Sequence, residues 1–198
     1  MSAPSARKTD HPILPLFVER WSPRAFTGET IPDTVLASLF EAARWAPSAY
    51  NSQPWRFVWA KAGTPEWGPL FGLLNEFNQG WARSASAIVL VLSKSTFRAA
   101  PDAPEQAAGH HAFDTGAAWV SLALQAHALG WSAHAAAGFD ADRARSEFAL
   151  PADVHPQAVV VIGRAGDPAS LPDALRARET PNGRRPVTET AFHGRYPA

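Results

Sequence analysis

The 198-residue chain contains no cysteine, which excludes a disulfide framework, a zinc–thiolate site, a cysteine-ligated iron–sulfur cluster and a thiol nucleophile. Redox chemistry, if present, has to come from a bound cofactor. There is no surplus of either charge. Eighteen basic residues stand against 18 acidic ones, so nothing is left over to neutralise a nucleic-acid backbone. There is no long apolar run either: the longest, residues 87–92, is far short of the roughly 20 residues a membrane span needs. Around Arg7, Lys8 and Asp10 there is no apolar signal-peptide core. These absences predict a cytoplasmic protein without nucleic-acid or membrane partners. No two glycines form G-x-G, and neither G-x-x-x-x-G-K-[ST] nor G-x-S-x-G occurs. The Rossmann fingerprint, the P-loop and the serine-hydrolase elbow are therefore missing.

What is present suffices for one core. With 46% hydrophobic and 18% charged residues, the chain is expected to form a single domain over 1–198, with an N-terminal segment, 1–12, and a Pro-rich C-terminal arm from about 167 to 198. Apolar periodicity predicts helices over 13–19, from Pro32 to about Trp45, over 66–77, over 106–129 and from Asp140 to about Ala149, with a short one at 173–178. Pro32 suits a first helical turn, Gly130 a helix C-terminus and Asp140 an N-cap. Strands are expected at 55–60, 88–92, 132–136 and 158–162, the second and fourth being apolar enough for the middle of a sheet. The pattern predicts a layered α+β or α/β domain.

Three constellations could carry chemistry. His110, His111 and Asp114 place a histidine and a carboxylate four residues apart on one helix face, two ligands where a metal needs more; the alternative is a satisfied histidine at a helix start. Arg20, Ser22 and Arg24 alternate, so an extended segment would turn two guanidiniums and a hydroxyl one way, as an anion grip or as a solvated strand edge. Residues 46–55, Ala-Pro-Ser-Ala-Tyr-Asn-Ser-Gln-Pro-Trp, form a polar turn between a helix and a strand. Asn51 and Gln53 there offer both donors and acceptors to a heterocycle with mixed edges, or to the loop itself.

Together, Arg20-x-Ser22-x-Arg24-x-Phe26, residues 43–57 around Asn51-x-Gln53-Pro54-Trp55, Gly130-Trp131, Gly138-Phe139-Asp140, residues 159–163 and Arg184-Arg185-Pro186 resemble the FMN-dependent nitroreductase family. The resemblance implies a three-layer α/β/α fold: a central, mostly antiparallel four-stranded sheet flanked by helices and completed by the partner's C-terminal arm. It implies a homodimer with sites at the interface, FMN as cofactor, NAD(P)H as donor and a small electron-poor acceptor such as a nitroaromatic or quinone. By the same resemblance, Arg20, Trp21, Ser22 and Arg184, or Arg185 in its place, would surround the FMN phosphate. Arg24 would lie by flavin N1 and O2, and Asn78 on the pyrimidine side. Pro47, Ser48 and Asn51 would reach the flavin from the other subunit, with Ala49 and Gln53 of the same turn also binding the cofactor. Ala135, Ala136 and Ala137 would back the ring, where familiar members often carry a proline and an acidic residue, and the Gly138 N–H would face N5. Trp67, Phe71, Phe77 and Trp81 would roof an acceptor pocket, the first two being equally suited to the core. The same site could serve enone reduction, dehalogenation or oxygen-dependent flavin chemistry, or a carrier without turnover.

Overall fold

The computed structural model describes residues 7–197; residues 1–6 of the expected N-terminal segment lie outside the described residues. The chain opens with α1 (Pro15–Glu19) and α2 (Asp33–Arg44), followed by strand β1 (Trp55–Lys61). Two short helices, α3 (Trp67–Phe71) and α4 (Glu76–Ala82), lead into β2 (Ala87–Lys94) and a small ribbon of β3 (Thr96–Phe97) with β4 (Gln106–Ala107). The long α5 (His111–Ala128) precedes β5 (Ser132–Ala136), α6 (Ala141–Glu147), β6 (Val154–Gly163) and the single-turn α7 (Asp173–Arg176). The main sheet has the order β1-β2-β6-β5, every neighbouring pair antiparallel. The two strands read as most apolar are the central ones.

Alternation along those strands makes the layers, because successive side chains point to opposite faces. Ile88, Leu90, Leu92, Val159 and Val161 pack on one face with Leu70 and Leu73 from α3 and its C-terminal end, Trp81 and Ala144. Val89, Val91, Val160 and Ile162 pack on the other with Leu36 and Leu39 of α2 and Leu122 and Ala126 of α5. Each fully buried aliphatic side chain is worth about 1.5–3 kcal/mol relative to exposure, so this two-sided sheet is the main source of stability. After α5, Gly130 at φ 75° lets its N–H reach the His127 carbonyl while Trp131 N–H reaches that of Ala126, a Schellman closure. No described helix is long and apolar enough to cross a membrane.

Several element boundaries differ from expectation, among them the start of β6, which lies at Val154 and not near 158. The helix expected over 66–77 is broken, because Asn75 serves better as a cap: its Oδ1 accepts the Asn78 N–H at 2.9 Å, and Leu74 bridges to Phe139. The apolar stripe runs through both pieces and hides the break. The helix expected from 106 starts at His111, since Gln106 and Ala107 pair with Phe97 and Thr96. The C-terminal arm adds no fifth strand to the main sheet among the described residues; it runs back over its own chain, where the Val187 N–H meets Asp10.

Candidate active site

The segment leaving α1 is extended and crosses the end of the sheet, where Phe26 bridges to Ala165. A Cβ at Gly163 would lie 2.6 Å from Phe26 Cδ1, and one at Gly166 2.8 Å from the Phe26 backbone; only glycine permits this approach. Arg20, Trp21, Ser22 and Arg24 thereby line a cavity of about 210 Å³. Arg7 and His134 of β5 join them, and the arm adds Arg178, Thr180, Asn182 and Arg184. Arg185 lies instead in a neighbouring hollow with Asp10 and Phe17.

Five guanidiniums thus converge on one small space. Burial first, and the neighbouring Arg184 charge second, lower the affinity of Arg7 and Arg20 for their protons below the usual arginine value. The Arg20 guanidinium also approaches Ser22 Oγ at 3.4 Å. Arg24 Nε is buried without a hydrogen-bond partner among the described residues, although its Nη1 stands 3.8 Å from Glu179 Oε2. His134 Nδ1 lies 2.9 Å from the Pro23 carbonyl, which can only accept, so this nitrogen carries the proton. The ring sits 4.5 Å from that of Trp81, and burial pushes its pKa down despite the Pro23 bond. A cavity of this make-up is built for an anion rich in oxygen acceptors.

The Ala-Pro-Ser turn after α2 is strained. Tyr50, Asn51 and Gln53 have φ of 54°, 52° and 46°, a left-handed conformation that side chains rarely adopt and that clusters at functional sites. Asp114, buried in the first turn of α5, holds it by accepting the Ala49 N–H at 3.0 Å. Ser48 Oγ accepts the Gln53 N–H, and Gln53 Nε2 donates to the Asn51 carbonyl. Asp114 and His110 therefore do not form a chelate: the carboxylate serves the turn, and the neighbouring His111 meets Ser93 Oγ at 2.7 Å. Pro47, Ser48, Ala49, Asn51 and Gln53 do not line the arginine cavity of their own chain. Tyr50 is exposed and stacks on Phe97.

Ala135 and Ala136 end β5, and Ala137 leads to Gly138, which borders an open hollow of about 500 Å³. The Gly138 carbonyl accepts from Asn75 N and Asn78 Nδ2, at 3.1 and 2.9 Å, whereas its N–H has no acceptor among the described residues. A Cβ here would fall 2.4 Å from Asn75 Nδ2 and 2.7 Å from Asn78 Nδ2. Asn78 is buried, its Oδ1 accepting the Trp81 indole N–H at 3.1 Å. Trp81 corrects one expectation: it is buried to 2% exposure and closes the core instead of roofing a pocket. Trp67 and Phe71 stack on each other against that core, leaving Phe77 as the open aromatic of the four.

Residues 18–164 match the Nitroreductase family. The chain belongs to the Nitroreductase family. Among curated relatives, an uncharacterised 15.4 kDa protein of Mycolicibacterium smegmatis is 36% identical over 69% of this chain and 88% of its own length. A Streptomyces coelicolor protein, provisionally named an NADH dehydrogenase/NAD(P)H nitroreductase, is 29% identical over 78% of this chain and 84% of its own. A solved structure described as an oxidoreductase containing FMN superposes with a TM-score of 0.94 at 42% identity, covering 100% of this chain and 99% of that one. A provisionally named nitroreductase from Desulfovibrio desulfuricans, solved in complex with FMN, gives 0.71 at 26% identity over 96% and 100%. The nitroreductase fold, α+β with a four-stranded antiparallel sheet, is thus established for this family member.

Sequence reasoning missed Arg7, His134, Asn75, Arg178 and Glu179, and paired Asp114 with His110 instead of the turn it holds. Arg7 and Arg178 were visible only as charges in the terminal segments; the others act through contacts between elements far apart in sequence. Asn75 alone had a local signal, as a capping residue with an acidic Glu76 behind it in the first turn.

Proposed function

We propose that this nitroreductase-family chain is an FMN-dependent oxidoreductase, working as a homodimer, that takes hydride from NAD(P)H and delivers it to an electron-poor acceptor such as a nitroaromatic or quinone. The observation that carries the reading is the arginine cavity, one wall of which is His134 of the strand that leads to Gly138. The residues present fit the cofactor. Clustered guanidiniums and Ser22 match a phosphate, while Arg24 Nε and the Gly138 N–H, both without a partner among the described residues, offer donors. The relatives described as containing FMN support the same fit.

Arg20, Ser22 and Arg184 would hold the phosphate, with Trp21 alongside. Arg24 would stand at the pyrimidine edge, where its charge stabilises negative charge that grows on reduction. Gly138 would present its N–H to N5, held in place by its carbonyl bonds to Asn75 and Asn78. Ala135, Ala136 and Ala137 would back the ring without bulk. Pro47, Ser48, Ala49, Asn51 and Gln53 would come from the partner subunit, which agrees with their absence from the cavity lining of their own chain. FMN, when bound, supplies the two-electron chemistry between nicotinamide and acceptor; the protein orients the reactants and excludes water. Phe77 offers an open face on which a flat acceptor can stack.

Incubating the purified protein with FMN, desalting and recording its absorbance tests the cofactor, and NADH or NADPH oxidation with nitroaromatic and quinone acceptors tests the reaction. Stoichiometric flavin with acceptor-dependent oxidation is expected. Flavin retained without turnover with any acceptor would leave a carrier, and no retained flavin would remove the mechanism.

A further inference from the structure

Glu179 is a buried carboxylate just behind the wall of a cationic cavity, between the lining residues Arg178 and Thr180. Its side chain is 1% exposed. Oε1 accepts two consecutive backbone N–H groups, Arg24 at 2.5 Å and Ala25 at 2.8 Å, from a segment about 155 residues earlier in the chain. Oε2 makes no hydrogen bond among the described residues and faces Arg24 Nη1 at 3.8 Å. On electrostatics alone, an acid here opposes binding of any anion. The arm around it shows what it does instead. Arg178, Thr180, Asn182 and Arg184, every second residue, line the cavity. Glu179 stands between the first two and points away from that row, beneath the 24–25 backbone. A slip of one residue along the arm would carry Arg184 away from its place in the cavity and bring its neighbour Arg185 towards it.

We propose that Glu179 is the positioning residue that pins the register of the C-terminal arm on the phosphate pocket, and through it selects phosphorylated over unphosphorylated flavin. This rests on the cavity being the FMN phosphate site. A two-hydrogen-bond clamp to backbone is indifferent to side-chain motion nearby, and a carboxylate makes it more strongly than a neutral acceptor. The clamp's benefit to anion binding is indirect, by delivering Arg178 and Arg184 on the correct face, and it outweighs the repulsion.

The test compares dissociation constants for FMN and riboflavin, which differ only in the phosphate, by flavin fluorescence titration of the full-length wild type, Glu179→Gln and Glu179→Ala. The wild type is expected to prefer FMN strongly. In Glu179→Ala the preference should shrink about tenfold or more, and in Glu179→Gln, which keeps an acceptor of the same shape, by a smaller factor. General damage to the fold would weaken both ligands equally and leave the ratio unmoved; simple loss of a repulsive charge would raise it. Either result in Glu179→Gln overturns the proposal, and that variant decides should Glu179→Ala fail to fold. A wild type that binds both flavins equally removes the phosphate pocket itself, and one that binds neither removes the FMN reading as well.

Discussion

The arginine cavity and the turn at 47–53 are each held by one buried carboxylate that accepts backbone N–H groups, Glu179 in the first and Asp114 in the second, yet the two carboxylates restrain different things. Around the cavity the arginine-bearing backbone is ordinary and the cost lies in burying guanidiniums and, next, in their mutual repulsion. In the turn no charge is crowded and the cost lies in three left-handed residues. Repulsion is relieved by an anion and screened by salt; conformational strain is relieved only by letting the turn go. A pocket that must admit and release a charged ligand is suited to the first kind of cost, and a fixed wall to the second.

Replacing Arg20 and Arg184 together by alanine should break this contrast most visibly. Each charge-assisted hydrogen bond is worth roughly 1.5–3 kcal/mol, so FMN affinity should fall by about a hundredfold or more while the apoprotein, freed of repulsion, unfolds at an equal or higher temperature. Equilibrium binding and a thermal scan measure both, and retained affinity would place the grip elsewhere. Asp114→Ala should act in the opposite sense, destabilising the apoprotein by about 1–3 kcal/mol through an unsatisfied amide and a released turn, with no relief from added salt. Asp114→Asn, which keeps an acceptor, should recover much of this in urea titrations; equal loss in both variants would show that the charge, not the bond, matters.

The smallest effect concerns pH. His134 has its pKa depressed below 6.5 by burial, so the unfolded chain takes up a proton more readily than the folded one. Stability is therefore full above about pH 6.5 and declines as the pH falls from there towards the lowered folded value. His134→Gln should flatten the slope of melting temperature between pH 7 and 5, leaving the contribution of His111, which is depressed in the same direction. An unchanged slope would assign the decline to other groups.

Much of this was legible from local pattern. The runs at 88–92 and 158–162 announced the central strands, and the helix ending before Gly130 and the cap at Asp140 followed from backbone chemistry that acts within a few residues. Arg20, Ser22 and Arg24 were readable as one face because alternation is local, and they do line one cavity. The break at Asn75 was obscured because the apolar stripe of α3 continues in phase past it. Trp81 was misread for a related reason: an aromatic on a helix looks the same in sequence whether its indole N–H finds Asn78 or a ligand. Glu179 could not be read at all, and Asp114 was read with His110 instead of under the turn, since their partners lie 155 and 65 residues away and a lone acid in an arm ordinarily signals a solvated surface.

The bond from Glu179 to Arg24 also orders events in time. All four strands of the sheet are in hand once residue 163 has been made, but the cavity takes walls from residue 7 and from residue 184. During synthesis the layered core can form while the anion pocket is still missing a side. Closure of the cationic cavity is thus a late step, available only after residue 184 has emerged from the ribosome and come back to residue 7.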